Sequence, residues 1–318
     1  MKHSIIKPGI LTGFKPEHAE LWGHHPIKIE HSLEQSGLFS DEALARLIEG
    51  YPREKYDFNH MNKQGSDRRE WVEGELGDCS GEHALEAVRA GRMWLNMRFV
   101  NEVDPRYGEL LADIFSELEQ LVPGMGSTFR HKMGILISSP RAQVHYHTDI
   151  PGQSLWQLRG KKRVYVYPNY APFLTEEGLT NVITGAGNDD IRYETWFDDY
   201  AQVIDLEPGE MLNWPLNAPH RVENYDMLNV SVTTEHWTQD IRRYYAVRYA
   251  NGFLNRTLGA KLPAARIDGP GFYPKAALAV AGKKLLPKGA VNKRTYMVEF
   301  KLGPKSDEYM TPITPYAR

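Results

Sequence analysis

Apolar positions recur along the chain at two different spacings, and the change of spacing divides it. From residue 40 to residue 121 they fall three or four apart. Ser40 stands where a helix N-cap belongs, Leu44, Leu47 and Ile48 share one stripe, and Gly50 and Pro52 end it. A second helix is predicted after Pro105, where Leu110, Leu111, Ile114, Phe115, Leu118 and Leu121 keep helical spacing up to Pro123-Gly124. A weaker third, EHALEAVRAG, lies between them. From Arg130 to Trp237 the period shortens: KMGILIS, QVHYHTD, KKRVYVYP, QVIDLEPGE and MLNVSVTT read as short strands bounded by Pro, Gly, Asn or Asp. Strands this short and close argue for a sandwich or barrel and against a parallel sheet with crossover helices. The stretch from Tyr170 to Tyr200 interrupts them, and Asp189, Asp190, Asp198 and Asp199 mark it as an exposed insertion. Beyond Trp237 a helix through Ile241 to Phe253 leads into a segment punctuated by Pro and Gly.

Composition narrows the class. With 318 residues, 41% hydrophobic and 25% charged, the chain has the make-up of a folded protein, which excludes a disordered chain, a collagen-like repeat or a coiled-coil rod. Cys79 is the only cysteine, so neither an intrachain disulfide nor a cysteine-based zinc site can form. Pro8, Gly9, Gly13 and Pro16 break the N-terminal stretch before a secretory signal could develop, and no run approaches the roughly 18 apolar residues of a membrane span. These features lead to the expectation of a cytoplasmic chain. The net charge of −3 hides an asymmetry: residues 246–318 carry thirteen Lys or Arg against four Asp or Glu, which leaves residues 1–245 at −12. The basic residues are scattered among Pro and Gly and form no dense stripe, so nucleic acid is not the expected partner.

Candidate chemistry begins in QVHYHTD. Strict alternation along a strand puts His145, His147 and Asp149 on one face. A solvent-facing polar face would explain that equally well, until the segment Gly209–Asn224 is set beside it. There Gly209, Pro215, His220 and Asn224 stand in the register of the second cupin motif, with Asn217 in the place of the turn glycine, as the residue type next most tolerant of positive φ. Two ligand sets stay open at this point. An ordinary cupin would use His145, His147 and His220, but the glutamate its first motif wants is missing, with Gln153 the nearest polar substitute. The other set takes His147-Thr-Asp149 with His220.

The run Gln157 to Pro168 favours the second. It resembles the Gln-x-x-Gly-x-Lys-Arg strand of the JmjC-like, cupin-type Fe(II)/2-oxoglutarate-dependent oxygenases, with Gly160 eleven and Lys162 thirteen residues after Asp149. The resemblance covers three segments between Gln143 and Trp237 and implies a mainly β fold, a double-stranded β-helix (cupin or jelly-roll) core with supporting helices. It further implies that His147, Asp149 and His220 hold Fe(II) on one face of its coordination sphere, leaving the opposite face for a 2-oxo acid and O₂. Lys162 would bind the distal carboxylate of 2-oxoglutarate. By alternation it shares a face with Val164 and Val166, where an unpaired ammonium is costly and an anion is called for. Gln153 falls where the hydroxylases place an asparagine near metal and cosubstrate. The family's common Thr three residues before the first metal histidine is Val144 here, so its work would pass to His145 or another group.

Trp94, Trp156, Trp196 and Trp237 read mainly as packing residues, with Trp214 a candidate for the pocket mouth; Asn96 and Arg98 could face the barrel or serve structure alone. The expected organisation is a mainly helical region 1–129, a cupin/JmjC-like core 130–245 and a basic extension 246–318. The expected activity is hydroxylation of an unidentified prime substrate, protein or small molecule, with release of succinate and CO₂. A metal enzyme using three histidines without 2-oxoglutarate and a non-catalytic cupin-fold binding or regulatory protein are the alternatives. The C-terminal segment is the expected place for a homodimer contact.

Overall fold

The structure, a computed structural model, describes residues 9–61, 71–184, 191–259, 267–285 and 297–318. The first third contains helices α1 (Pro16–Leu21), α2 (Asp41–Ile48), α3 (Gly81–Ala90), α4 (Val100–Val103) and α5 (Pro105–Leu121). It also contains strands β1 (Ile27–Glu30), β2 (Tyr56–His60), β3 (Val72–Glu75) and β4 (Met93–Met97). The caps are those the residue types predict: Ser40 Oγ accepts from the Ala43 N–H at 3.2 Å, and the Asp104 carboxylate accepts from the Arg106 N–H at 2.9 Å. This region is richer in strand than its periodicity suggests, because all four strands join the sheet described next.

Eight strands form the core: β5 (Phe129–Ser138), β6 (Gln143–His147), β7 (Gly152–Arg159), β8 (Lys162–Val166), β9 (Gln202–Leu206), β10 (Glu210–Asn213), β11 (His220–Asn224) and β12 (Asn229–Trp237). Among the described residues β6, β11, β8 and β9 make a four-stranded sheet, and β10, β7, β12 and β5 lie side by side in a larger one. Apart from β8 and β9, which are antiparallel neighbours in the smaller sheet, successive strands pass between the two sheets, which is a double-stranded β-helix. The larger sheet continues through β1 at one edge and through β4, β2 and β3 at the other.

Both faces of β5 and β12 are covered, and the sequence shows why. Met133, Ile135 and Ile137 of β5, with Val230 and Val232 of β12, are buried against Leu44, Val88, Ile114, Phe115 and Leu118 of the helices. Their alternates turn into the barrel, where Leu155, Val164, Val166, Leu206, Leu212 and Val222 pack together. Each such aliphatic side chain, fully buried, contributes about 1.5–3 kcal/mol.

The Tyr170–Tyr200 interruption has a small core of its own. Helix α6 (Glu176–Thr184) and a 3₁₀ turn, Thr195–Tyr200, bury Phe173, Leu174, Leu179, Val182 and Phe197 against Tyr146 and Tyr167. Asp198 is no free surface acid: Arg221 Nη2 donates to it at 2.6 Å and Tyr167 Oη at 2.5 Å. Asp189 and Asp190 lie outside the described residues.

Helix α7 (Gln239–Leu258) runs across the boundary expected at residue 245, so no structural break falls there. After α8 (Phe272–Leu285), the hairpin β13 (Met297–Leu302) and β14 (Met310–Ala317) extends the larger sheet, β13 lying parallel to β3. No helix among the described residues is long and apolar enough to cross a membrane.

Candidate metal centre

The barrel encloses a cavity of about 430 Å³ that opens between the sheets. His147 at the end of β6 and His220 at the start of β11 are directly paired across the strands, and their rings lie 4.2 Å apart. Asp149 follows β6 by two residues. One ligand atom from each of these three side chains lies within 4.8 Å of the other two.

Hydrogen bonding fixes which ring atoms are free. His147 Nδ1 stands 2.7 Å from the His145 carbonyl and His220 Nδ1 stands 3.1 Å from the Ala218 carbonyl. A carbonyl only accepts, so each Nδ1 carries the proton and each Nε2 is left with its lone pair. Burial, reinforced by the neighbouring His147, pushes the His220 imidazole well below its ordinary range and keeps it neutral. Its Nε2 nevertheless faces Asp149 Oδ2 at 3.3 Å. Two electron-rich atoms aimed at one point have no reason to converge unless a cation lies between them. The donor set of two neutral imidazoles and one carboxylate suits a divalent first-row metal and leaves other coordination positions open.

His145 is not part of the cluster. Alternation predicts it on the ligand face, but β6 carries an extra residue against β11: His147 pairs with His220 while Val144, three residues earlier, pairs with Val222, only two residues on. The bulge turns Val144 into the cavity and takes the His145 ring to Trp71, 5.6 Å away.

The loops that carry the ligands are laced together by Asn217. Its φ of 60° is the left-handed conformation expected for the turn-glycine position. Its amide does what glycine cannot: Nδ2 donates to the Asp149 carbonyl at 2.7 Å and to the Tyr245 hydroxyl of α7, while Thr148 Oγ1 donates to the Asn217 carbonyl at 2.7 Å. Trp214 packs on the other side of His220, with ring centroids 4.5 Å apart.

Lys162 enters the same cavity from β8, only 3% exposed. Among the described residues its ammonium has no ion pair or hydrogen bond, and burial alone pushes it down to about 7. It stands opposite Asn224 on β11, four residues along from His220, a distance of roughly 13 Å. The motif from Gln157 to Pro168 spans two strands joined by a turn between sheets. β7 and β8 belong to different sheets, and the chain turns at Gly160, where φ is 73° and a Cβ would lie 2.3 Å from the Leu228 carbonyl oxygen. Gln157 clamps this turn: its Nε2 donates to the carbonyls of Arg159 (2.7 Å) and Gly160 (3.0 Å) and to Asn229 Oδ1 (2.7 Å), and Ser231 Oγ donates to its Oε1. Asn224 Nδ2 donates to Ser138 Oγ at 2.8 Å at the same end of the barrel.

Gln153, Asn96, Arg98, Trp94 and Trp214 also line the cavity, whereas Trp156 is buried on the helix side and donates to Thr234 Oγ1 at 2.9 Å. Glu235 and Lys132 were not foreseen. Alternation along β12 from Asn229 through Ser231 and Thr233 leads to Glu235, and that extension was the available signal. Burial raises the Glu235 carboxyl; the Lys132 charge opposes that rise and the Asp149 charge adds to it.

The family of the cupin-like domain matches this chain over residues 86–240. Among solved structures, YcfD of Escherichia coli is similar at 17% identity and a TM-score of 0.47, over 89% of this chain and 70% of that one. YcfD described as a ribosomal oxygenase, in complex with cobalt and 2-oxoglutarate, is similar at 17% identity and a TM-score of 0.46, over 87% and 68%. AerE from Microcystis aeruginosa is 12% identical with a TM-score of 0.23, over 35% and 38%. No curated protein matches the sequence. The stretch that matches the cupin-like domain, residues 86–240, holds the paired histidines, Asp149 and Lys162.

Proposed function

We propose that the chain is a non-haem Fe(II)- and 2-oxoglutarate-dependent dioxygenase that hydroxylates a C–H bond of an as yet unidentified substrate. The observation that carries the reading is one cavity holding both a two-histidine, one-carboxylate cluster and a buried ammonium that has no counter-charge among the described residues. His147 and His220 would bind the metal through Nε2 and Asp149 through its carboxylate, their orientation held by the carbonyls of His145 and Ala218 and by Asn217. Lys162 would receive the distal carboxylate of 2-oxoglutarate, which returns to the ammonium the charge partner it lacks. Gln153 reaches the same space from β7, and Val144 supplies an apolar wall where the related enzymes have a hydroxyl. When bound, the metal activates O₂ so that one oxygen atom enters succinate as 2-oxoglutarate loses CO₂ and the other enters the product as hydroxyl.

The test is an anaerobic titration of the purified chain with Fe(II) and 2-oxoglutarate. A weak visible charge-transfer band, lost in His220→Ala and unchanged in His145→Ala, is expected. Metal binding without the band would overturn the 2-oxoglutarate reading, and loss of metal binding in His145→Ala would restore a three-histidine site. Cytoplasmic location and a homodimer through the C-terminal helices belong to the same proposal. The second rests on exposed Tyr273 and Val280 of α8 and is read by light scattering.

A further inference from the structure

Lys132 of β5 and Glu235 of β12 are directly paired across the larger sheet, and both line the cavity. Opposite charges in that register ordinarily close into an ion pair. Here they do not: no contact within 4 Å joins them, and each is held by something else. The Lys132 ammonium sits 4.5 Å over the ring of Phe99, whose backbone is in the left-handed region at φ 60°. A bulky residue in that conformation is strained and is retained only where its surroundings impose it. Glu235 faces the amide of Gln153, its registered neighbour on β7, and feels the Lys132 charge across the gap and, less strongly, that of Asp149, which places it at the metal end of the cavity. The next inward position on β5 is Gly134, where a Cβ would come within 2.8 Å of Thr233 Oγ1. Gly134 leaves that space to the Thr233 hydroxyl.

A carboxylate and an ammonium held apart on one cavity wall form a site for a group that carries both charges in the reverse order. We infer that the prime substrate is a free α-amino acid, its ammonium bound by Glu235 and its carboxylate by Lys132, with the side chain turned toward the metal end. The inference rests on the reading of this cavity as the reaction site, and it excludes a residue in the interior of a polypeptide, which has neither charge at its α-carbon.

The test is calorimetric titration of the full chain with each of the twenty L-amino acids, with and without Mn(II) and 2-oxoglutarate. Each amino acid that binds is then compared with its N-acetyl and carboxamide forms. At least one free amino acid is expected to bind, and each cap to weaken it about tenfold or more, as loss of one charge-assisted contact does. Glu235→Gln should remove the penalty of the N-acetyl cap alone, and Lys132→Met that of the carboxamide alone, in variants whose circular dichroism matches the parent. Failure of all twenty to bind, equal binding of the capped forms, or unchanged discrimination in both variants would overturn it. Binding of 2-oxoglutarate is read in the same cell: its absence beside amino-acid binding would sink the dioxygenase reading and leave this one standing.

Discussion

Lys162→Met exchanges a buried ammonium for an apolar chain of similar length and separates what the lysine does to the fold from what it does for the ligand. Moving an amine from its ordinary 10.5 down to about 7 reflects burial with no compensating charge and corresponds to a destabilisation on the order of 5 kcal/mol. The pH window follows from the direction. Between about 7 and 10.5 the unfolded chain holds a proton that the folded chain gives up, so the penalty is complete below 7 and shrinks as pH rises toward 10.5. In the absence of ligands the methionine variant should therefore be several kcal/mol more stable at pH 7, and the gap should close by pH 10. With 2-oxoglutarate the order reverses in function. The wild type gains stability on binding, while the variant, deprived of one partner of a buried ion pair worth about 3–5 kcal/mol when broken, should lose affinity by two or more orders of magnitude. Urea denaturation at pH 7, 8.5 and 10, with and without the diacid, measures both. A variant less stable than wild type at pH 7, or a gap that ignores pH, would show that the ammonium is satisfied within the fold and has no need of an anion.

Three further outcomes follow from single contacts. Asn217→Gly keeps the left-handed turn but leaves the Asp149 carbonyl and the Tyr245 hydroxyl without their donor, so it should cost about 1–3 kcal/mol, and Asn217→Ala about 1–2 kcal/mol more for the backbone. Denaturation midpoints give the order, and a glycine variant more stable than wild type would refute the amide's role. Gly160→Ala drives a Cβ onto the Leu228 carbonyl in a left-handed turn, so it should destabilise by about 2–4 kcal/mol and weaken 2-oxoglutarate binding two residues away at Lys162, as read by titration calorimetry. His236, 5% exposed and packed on Phe115, is pushed down to about 4 by burial, so the unfolded chain takes up a proton that the folded one refuses as pH falls from 6.5 to 4. His236→Leu should remove up to about 3 kcal/mol of that acid sensitivity in denaturation midpoints measured at pH 7 and pH 4.5.

What the sequence disclosed about the fold was mostly local. Ser40 and Pro105 mark two helix starts because capping and a proline at the first helical position depend on the residue type alone. His220 and Asn217 were legible because a tight turn between two strands fixes spacing and demands a positive φ at one position. The ligand face of β6 was misread at His145 for a reason alternation cannot contain: a bulge is a relation between two strands, and only the pairing of Val144 with Val222 reveals it. The crossing at Gly160 is not visible in the motif, because Gln157 and Lys162 belong together in it while lying in different sheets. Glu235 was hidden because a polar residue on an inward face reads from sequence as one more solvated position. The four early strands and the β13–β14 hairpin find their partners across long separations, and period-2 patterning names a face without naming the neighbour.

The charge asymmetry shows how the ends of the chain meet. β3 alone would leave the larger sheet with an open row of backbone donors and acceptors, the arrangement most prone to adding a foreign strand. The basic segment covers it: β13 pairs with β3, and the Arg318 guanidinium reaches Glu73 and, at 2.7 Å, Asp57. Glu73 is only 5% exposed and also accepts from Arg53 at 3.1 Å, so the acidic edge and the basic hairpin neutralise one another in a partly buried cluster. Arg248 of α7 pairs in the same way with Glu176 of α6. Part of the opposition between a −12 body and a +9 tail is therefore spent inside one chain. β2, which accepts β3, pairs on its other side with β4, the strand whose Trp94 and Asn96 line the cavity. The hairpin thus stabilises the very edge that supports the wall opposite the metal ligands, which gives the C-terminal segment a part in the site without placing any of its basic residues there.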